Sequence, residues 1–137
     1  MRTFVMGTVL GTLMATMSLA QSGPQVEIET TIQNQMEAFR SDNFAEAYSY
    51  ASPMIQGMFG DANRFGMMVQ RGYPMVWRNQ TVRYLELREI AGQLWQKVMI
   101  QDASGGLHML DYQMIQTEEG TWQINGVQLL PSPDIGA

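Results

Sequence analysis

Residues 81–130 read TVRYLELREIAGQLWQKVMIQDASGGLHMLDYQMIQTEEGTWQINGVQLL, and this stretch decides the fold. Four runs rich in Val, Ile, Leu, Tyr and Trp, each about a strand long, are separated by three turn signals: Ala91-Gly92, Ser104-Gly105-Gly106 and Glu118-Glu119-Gly120. Glycine supplies the positive φ that hairpin turns require. The pattern predicts an antiparallel meander of four strands, or slightly more, which the upstream segments must cover.

Side chains alternate between the two faces of a strand, so loop length decides which residues share a face. Even-numbered loops at all three turns put Leu85, Leu87, Val98, Ile100, Leu107, Met109, Trp122 and Ile124 on one face, an aliphatic surface for helices. The opposite face then mixes Tyr84, Glu86, Arg88, Trp95, Lys97, His108, Leu110, Tyr112, Asn125 and Val127. Glu86 and Lys97 become cross-strand partners in that register. Neither face is plainly polar, so neither reads as simply solvated.

Upstream, Ile28, Ile32, Met36 and Phe39 recur at helical spacing and predict a long helix from Gln25 to Arg40. Asn43, with Glu46 three residues on, caps a short helix through Tyr50. Ser52-Pro53 opens another, with serine as cap and proline at the first helical position, and Gly60 closes it. Asp61 caps a further helix through Arg71, ended by Gly72 and Pro74. Residues 73–77 read as extended chain leading into the sheet. The whole is an α+β domain over residues 26–131, its N-terminal helices packed on a curved antiparallel sheet. A polar linker (21–25) precedes it and a tail (132–137) follows.

Residues 1–20 read as a secretory signal: Arg2, an apolar run from Phe4 to Leu19, and small residues Ser18 and Ala20 at the −3 and −1 positions of a cleavage site. The run is short and rich in Gly and Thr for a spanning helix, so no stable membrane span is expected after cleavage. A bacterial periplasmic or secreted location follows. The chain has 137 residues and no cysteine, which bounds it to one domain and excludes disulfide, thiol and cysteine–zinc chemistry. A net charge of −5 argues against nucleic acid as a partner.

Several residues could carry chemistry. His108 is the sole histidine, too few for a histidine metal site. As a base it would need an orienting acid, and Asp111, three residues along the strand, points to the other face. Asp102, beside a turn, reads as solvated. Glu86 and Lys97 form either a sheet-surface ion pair or a handle inside a pocket. Asp111 lies mid-strand and must be hydrogen-bonded, at an edge, or shifted in pKa. Trp77, Tyr73, Trp95, Tyr84 and Tyr112 serve as core, or as a ligand-facing wall with apolar area and polar tips. Nine of the 13 methionines lie beyond residue 20, among them Met54, Met58, Met67 and Met68. Their irregular spacing favours adaptable core or a forgiving pocket over a thioether copper site. Arg64, Arg71, Arg78, Arg83 and Arg88 are spaced for solvation, or form an anion-facing rim.

Five segments together resemble a known family: AFRSDNFAEAYSYASPMIQGMFG, FGMMVQRGYPMVWR, LELRE, LDYQM and WQINGVQLLP. They are similar to the bacterial domain-of-unknown-function family 4864, within the nuclear-transport-factor-two-like superfamily of cone-shaped α+β domains. The resemblance spans Ile28 to Pro131 and implies fold and location, with no catalytic residues to carry over. That superfamily holds cavity enzymes that use an Asp or a His–Asp pair, such as ketosteroid isomerase and scytalone dehydratase. It also holds many binding and dimerisation domains. No motif here places such an acid–base residue.

The functional reading is a non-enzymatic module, without cofactor or metal, that binds a small apolar or amphipathic ligand or pairs with a second copy through the mixed face. Its candidate residues are Trp77, Tyr84, Glu86, Trp95, Lys97, His108, Tyr112 and Asn125. The alternative is a metal-free cavity enzyme doing isomerase- or dehydratase-like acid–base chemistry with Asp111, His108, Glu86 or Tyr112.

Overall fold

The computed structural model describes residues 23–132. The signal expected over residues 1–20 lies outside the described residues, as do residues 133–137. Five helices precede four strands: α1 (Pro24–Arg40), α2 (Phe44–Ser49), α3 (Pro53–Phe59), α4 (Ala62–Gly72), α5 (Pro74–Trp77), β1 (Asn79–Ile90), β2 (Gln93–Asp102), β3 (Leu107–Gln116) and β4 (Trp122–Leu130). The strands form one antiparallel sheet in the order β1-β2-β3-β4, and the chain is the α+β domain that the sequence predicts.

Local chemistry sets the helix ends. The Asn43 side chain accepts from Glu46 N at 3.2 Å, Ser52 Oγ from Ile55 N at 3.3 Å, and Asp61 Oδ1 from Arg64 N at 2.8 Å. Each satisfies a backbone donor that the first helical turn leaves free. Helix α1 buries Ile28, Ile32, Met36 and Phe39 on one stripe, all within 1% of complete burial. Burying each is worth about 1.5–3 kcal/mol, far more than the helix's intrinsic propensity supplies. Residues 74–77 depart from the expected extended path. Pro74 ends α4, but its fixed φ also suits a first helical position, and Arg78 N donates back to Pro74 O at 3.0 Å. The resulting turn buries Met75 and Val76.

The face assignment of the sheet differs from the even-loop expectation. Only the Ala91-Gly92 turn is even, joining the pair Ile90 and Gln93 with both turn residues at positive φ. Gln101 pairs with Leu107, and Gln116 with Trp122, so five residues intervene each time. Within each loop a glycine at φ +90°, Gly105 or Gly120, donates back to the third residue before it, Asp102 or Thr117. These are three-residue hairpin loops that close on glycine. An odd loop exchanges the faces, so Val98 and Ile100 share theirs with His108, Leu110 and Tyr112, not with Leu107 and Met109.

Two bulges change the pattern further. Tyr84 pairs with Val98 but Leu87 with Gln96, so Leu85 and Glu86 oppose Lys97 alone. Gln96 holds this bulge from inside: fully buried, its Nε2 donates to Leu85 O at 3.0 Å and to Lys97 O at 2.9 Å. Tyr84 therefore joins the helix-covered face while Glu86 stays outside. In β4, Gly126 pairs with Gln113 and Ile124 with Met114, which leaves Asn125 as the extra residue.

The core lies between the helices and the face bearing Val98, Ile100, Leu110, Tyr112, Met114 and Ile124. At the β4 edge, residues 50–52 add a short parallel seam. Ile124 N donates to Tyr50 O at 2.9 Å, Ser52 N donates to Ile124 O at 2.8 Å, and Ala51 pairs with Ile124. The seam carries the chain from α2 into α3 and fixes where α3 stands over the sheet.

Candidate ligand cavity

A cavity of about 270 Å³ opens between the helices and the β3–β4 half of the sheet. Gln35 and Phe39 of α1 close one side. Ile55, Met58 and Phe59 reach it from α3, and Phe65, Met68 and Val69 from α4. Tyr73 and Val76 contribute from the α5 turn, and Tyr112, Ile124 and Val127 from the sheet. The lining holds no Asp, Glu, His, Lys or Arg.

Phe65 organises one wall. Its ring centroid lies 5.9 Å from that of Phe39, 5.5 Å from Tyr48 and 5.8 Å from Phe59, in tilted and edge-on contacts that aromatic quadrupoles favour. Behind it, Gly66 allows close approach of α2, because a Cβ there would stand 2.6 Å from Phe44 Cγ. Helix α3 spans the cavity without one buried residue of its own. Polar contacts seat it: Tyr48 Oη donates to Gln56 O, and Gln56 Nε2 donates to Tyr48 O at 3.1 Å and Ala51 O at 3.0 Å. Ser52 Oγ donates to Asn125 Oδ1 at 2.6 Å.

Three polar side chains stand among the apolar ones. Tyr73 Oη donates to Val127 O at 3.1 Å and blunts the sheet edge. Gln35, 4% exposed, donates Nε2 to Ala47 O at 3.1 Å. Tyr112 is wholly buried, and its hydroxyl finds no hydrogen-bond partner. Burial pushes its ionisation well above the usual phenol value, with the neighbouring Tyr84 and Tyr73 adding to the rise, so it stays neutral.

Of the eight residues that the sequence nominates, the structure brings only Tyr112 to this cavity. Asn125 sits behind the cap of α3 and donates to Gln113 Oε1 at 3.2 Å. Tyr84 pins β1 to α1, donating to Gln33 Oε1 at 2.8 Å. Trp77 Nε1 donates to Asp42 at 2.9 Å while Arg78 stacks 4.0 Å over its ring and donates from Nη2 to both oxygens of the same carboxylate. Trp95, Lys97 and Glu86 lie on the sheet face away from the helices, with Lys97 Nζ 3.6 Å from Glu86. His108 Nε2 is 2.7 Å from Asp102 Oδ2, and the proton is on this nitrogen because a carboxylate only accepts. Asp102 also accepts from Ser104 and Gly106, so this His–Asp pair fastens the β2–β3 loop and is not the solvated carboxylate of the sequence reading. Asp111 faces away from His108, as the strand spacing predicts, and is held by Arg88.

The residues that do line the cavity come mostly from α3, α4 and Tyr73. Their signal in the sequence is the run of methionines and phenylalanines between Met54 and Met68. Arg64, Arg78 and Arg88 are each paired with an aspartate, which disperses the arginine rim. Among the described residues no three His, Asp or Glu side chains gather to hold a metal ion, and no helix is long and apolar enough to cross a membrane.

Helices on one face of a four-stranded meander, with an apolar cavity between the layers, define an α+β cavity domain. The chain belongs to the domain of unknown function family DUF4864, which it matches over residues 21–137. A solved structure from Catenulispora acidiphila is similar in fold, with a TM-score of 0.51 and 11% identity over 81% of this chain and 93% of that one. No curated protein matches the sequence.

Proposed function

We propose that the chain is a non-enzymatic binding module that takes a small apolar molecule into the cavity under α3. The observation that carries this reading is the 270 Å³ space walled by aliphatic and aromatic side chains with a few polar groups. Its size falls just below the roughly 300 Å³ at which drug-sized sites begin, which suits a smaller molecule. Of the groups named for an acid–base enzyme, Asp111, His108 and Glu86 lie outside the lining. Tyr112, which lines it, has an enclosed hydroxyl whose ionisation burial pushes up, and this favours binding over catalysis. The pattern of residues 1–20 supports a periplasmic or secreted location, and the order of helices then meander supports a place in the nuclear-transport-factor-two-like superfamily.

Native mass spectrometry on protein purified gently from the periplasm tests the reading. A discrete added mass that is lost on denaturation supports it. Bare protein that also takes up no small apolar probe overturns it.

A second reading, pairing with another copy, is favoured by the sheet face away from the helices. It carries Trp95, Met99, Met109 and Leu130, and no described element lies over it. A twofold partner would cover this face in self-complementary fashion. Sedimentation as a monomer at every accessible concentration would exclude that reading.

A further inference from the structure

Building on the cavity reading, we propose that Gln35 makes the site selective for a neutral ligand bearing one hydroxyl or N–H donor. Ala47 O is only an acceptor, so the Gln35 amide must turn its NH₂ group toward it, as the 3.1 Å contact requires. That choice leaves no freedom to flip. Oε1 is directed away from Ala47, and no described residue donates to it. Gln35 lines the cavity and is 4% exposed, and its Oε1 is not sealed off as the Tyr112 hydroxyl is, so this acceptor stands in a largely apolar wall within reach of a small molecule.

Once a ligand shuts water out of the cavity, this carbonyl oxygen carries a desolvation cost unless the ligand supplies a donor. Of the other polar side chains in the lining, the Tyr112 hydroxyl is enclosed, whereas Tyr73 gives its proton to Val127 O and keeps an oxygen lone pair, so the Gln35→Met comparison is what separates the two acceptors. With no charged side chain in the lining, an ammonium or carboxylate on the ligand would be buried unpaired, which restricts the donor to a neutral group. The volume is that of roughly nine waters, so the ligand has about that many non-hydrogen atoms.

The probes are p-cresol and p-xylene, which share a skeleton and differ by a hydroxyl in place of a methyl. Their affinities for wild type and Gln35→Met are compared, together with the side-chain amide NMR signals of Gln35 in wild type. Taking the ratio between probes cancels their different cost of leaving water. The p-cresol preference of wild type should fall roughly three- to tenfold in Gln35→Met, the worth of one hydrogen bond. The Gln35 amide signals should move more with p-cresol than with p-xylene. If both probes bind but the ratio is unchanged and the amide does not distinguish them, Gln35 is not the selector and the cavity stands. If neither probe binds wild type, the cavity reading fails and takes this one with it. Should Gln35→Met not fold, the wild-type amide signals alone decide: equal movement with both probes overturns the assignment.

Discussion

Arg88 grips Asp111 through two parallel hydrogen bonds, Nη1 to Oδ1 at 2.9 Å and Nη2 to Oδ2 at 2.8 Å, on the sheet face that no described helix covers. The pair runs diagonally from β1 to β3 across β2, and the Asp111 side chain is only 7% exposed. Removing the guanidinium strands a nearly buried carboxylate. Arg88→Ala should therefore lower stability by about 2 kcal/mol in urea denaturation, less than a fully buried pair because Arg88 itself is 26% exposed. Arg88→Lys keeps the charge but loses the fork, and should recover only part of the loss.

The Asp102–His108 contact predicts an acid limb. The His108 bond, followed by those from Ser104 and Gly106, holds the Asp102 carboxyl well below its ordinary value of 3.8. A depressed folded-state pKa gives stability that is present above about 4 and lost as pH falls below it. Stability measured from pH 5 downward should fall less steeply in Asp102→Asn than in wild type. Equal slopes would remove Asp102 from the account.

Tyr112→Phe should stabilise the ligand-free protein by about 1 kcal/mol. The substitution deletes a buried hydroxyl that has no partner while leaving the ring, so desolvation is relieved without opening a void. An alkaline effect goes with it. A phenol whose folded-state ionisation is raised gives stability present below the unfolded value near 10 and lost as pH climbs past it. Thermal melts at pH 10 and above should decline more gently in Tyr112→Phe.

Two glycine-to-alanine changes should have opposite signs. Gly57 lies inside α3, and a methyl added there would meet nothing within 4 Å, so Gly57→Ala should stabilise by roughly 0.5–1 kcal/mol through helix propensity alone. At Gly66 the methyl would meet the Phe44 ring at 2.6 Å, and overpacking should cost roughly 1–3 kcal/mol. Melting temperatures of the two variants check both signs in one experiment.

Helix ends were legible because their chemistry is local: Asn43, Ser52 and Asp61 each act on a residue three positions away. Strand existence was legible for the same reason. The faces were not, because they depend on loop parity and on bulges set by distant contacts. Nothing in LELRE announces that Gln96, on the next strand, draws in Leu85 O and flips Tyr84 inward. The cavity was hidden by a related limit. Trp77, Trp95, Glu86 and Lys97 attract notice as residue types, yet the register places them elsewhere. Met58, Phe59 and Met68 look like ordinary core until α3 is seen to stand over the sheet with no buried residue.

The seam between residues 50–52 and Ile124 also governs the order of assembly. Its partners are more than seventy positions apart, and one of them belongs to the last strand made. Helices α1 and α2 can collapse together early, from local contacts, but α3 has no seat until β4 has arrived. The cavity is therefore completed at the end of folding. Until then, the methionines and phenylalanines destined for its wall remain open to chaperones and proteases.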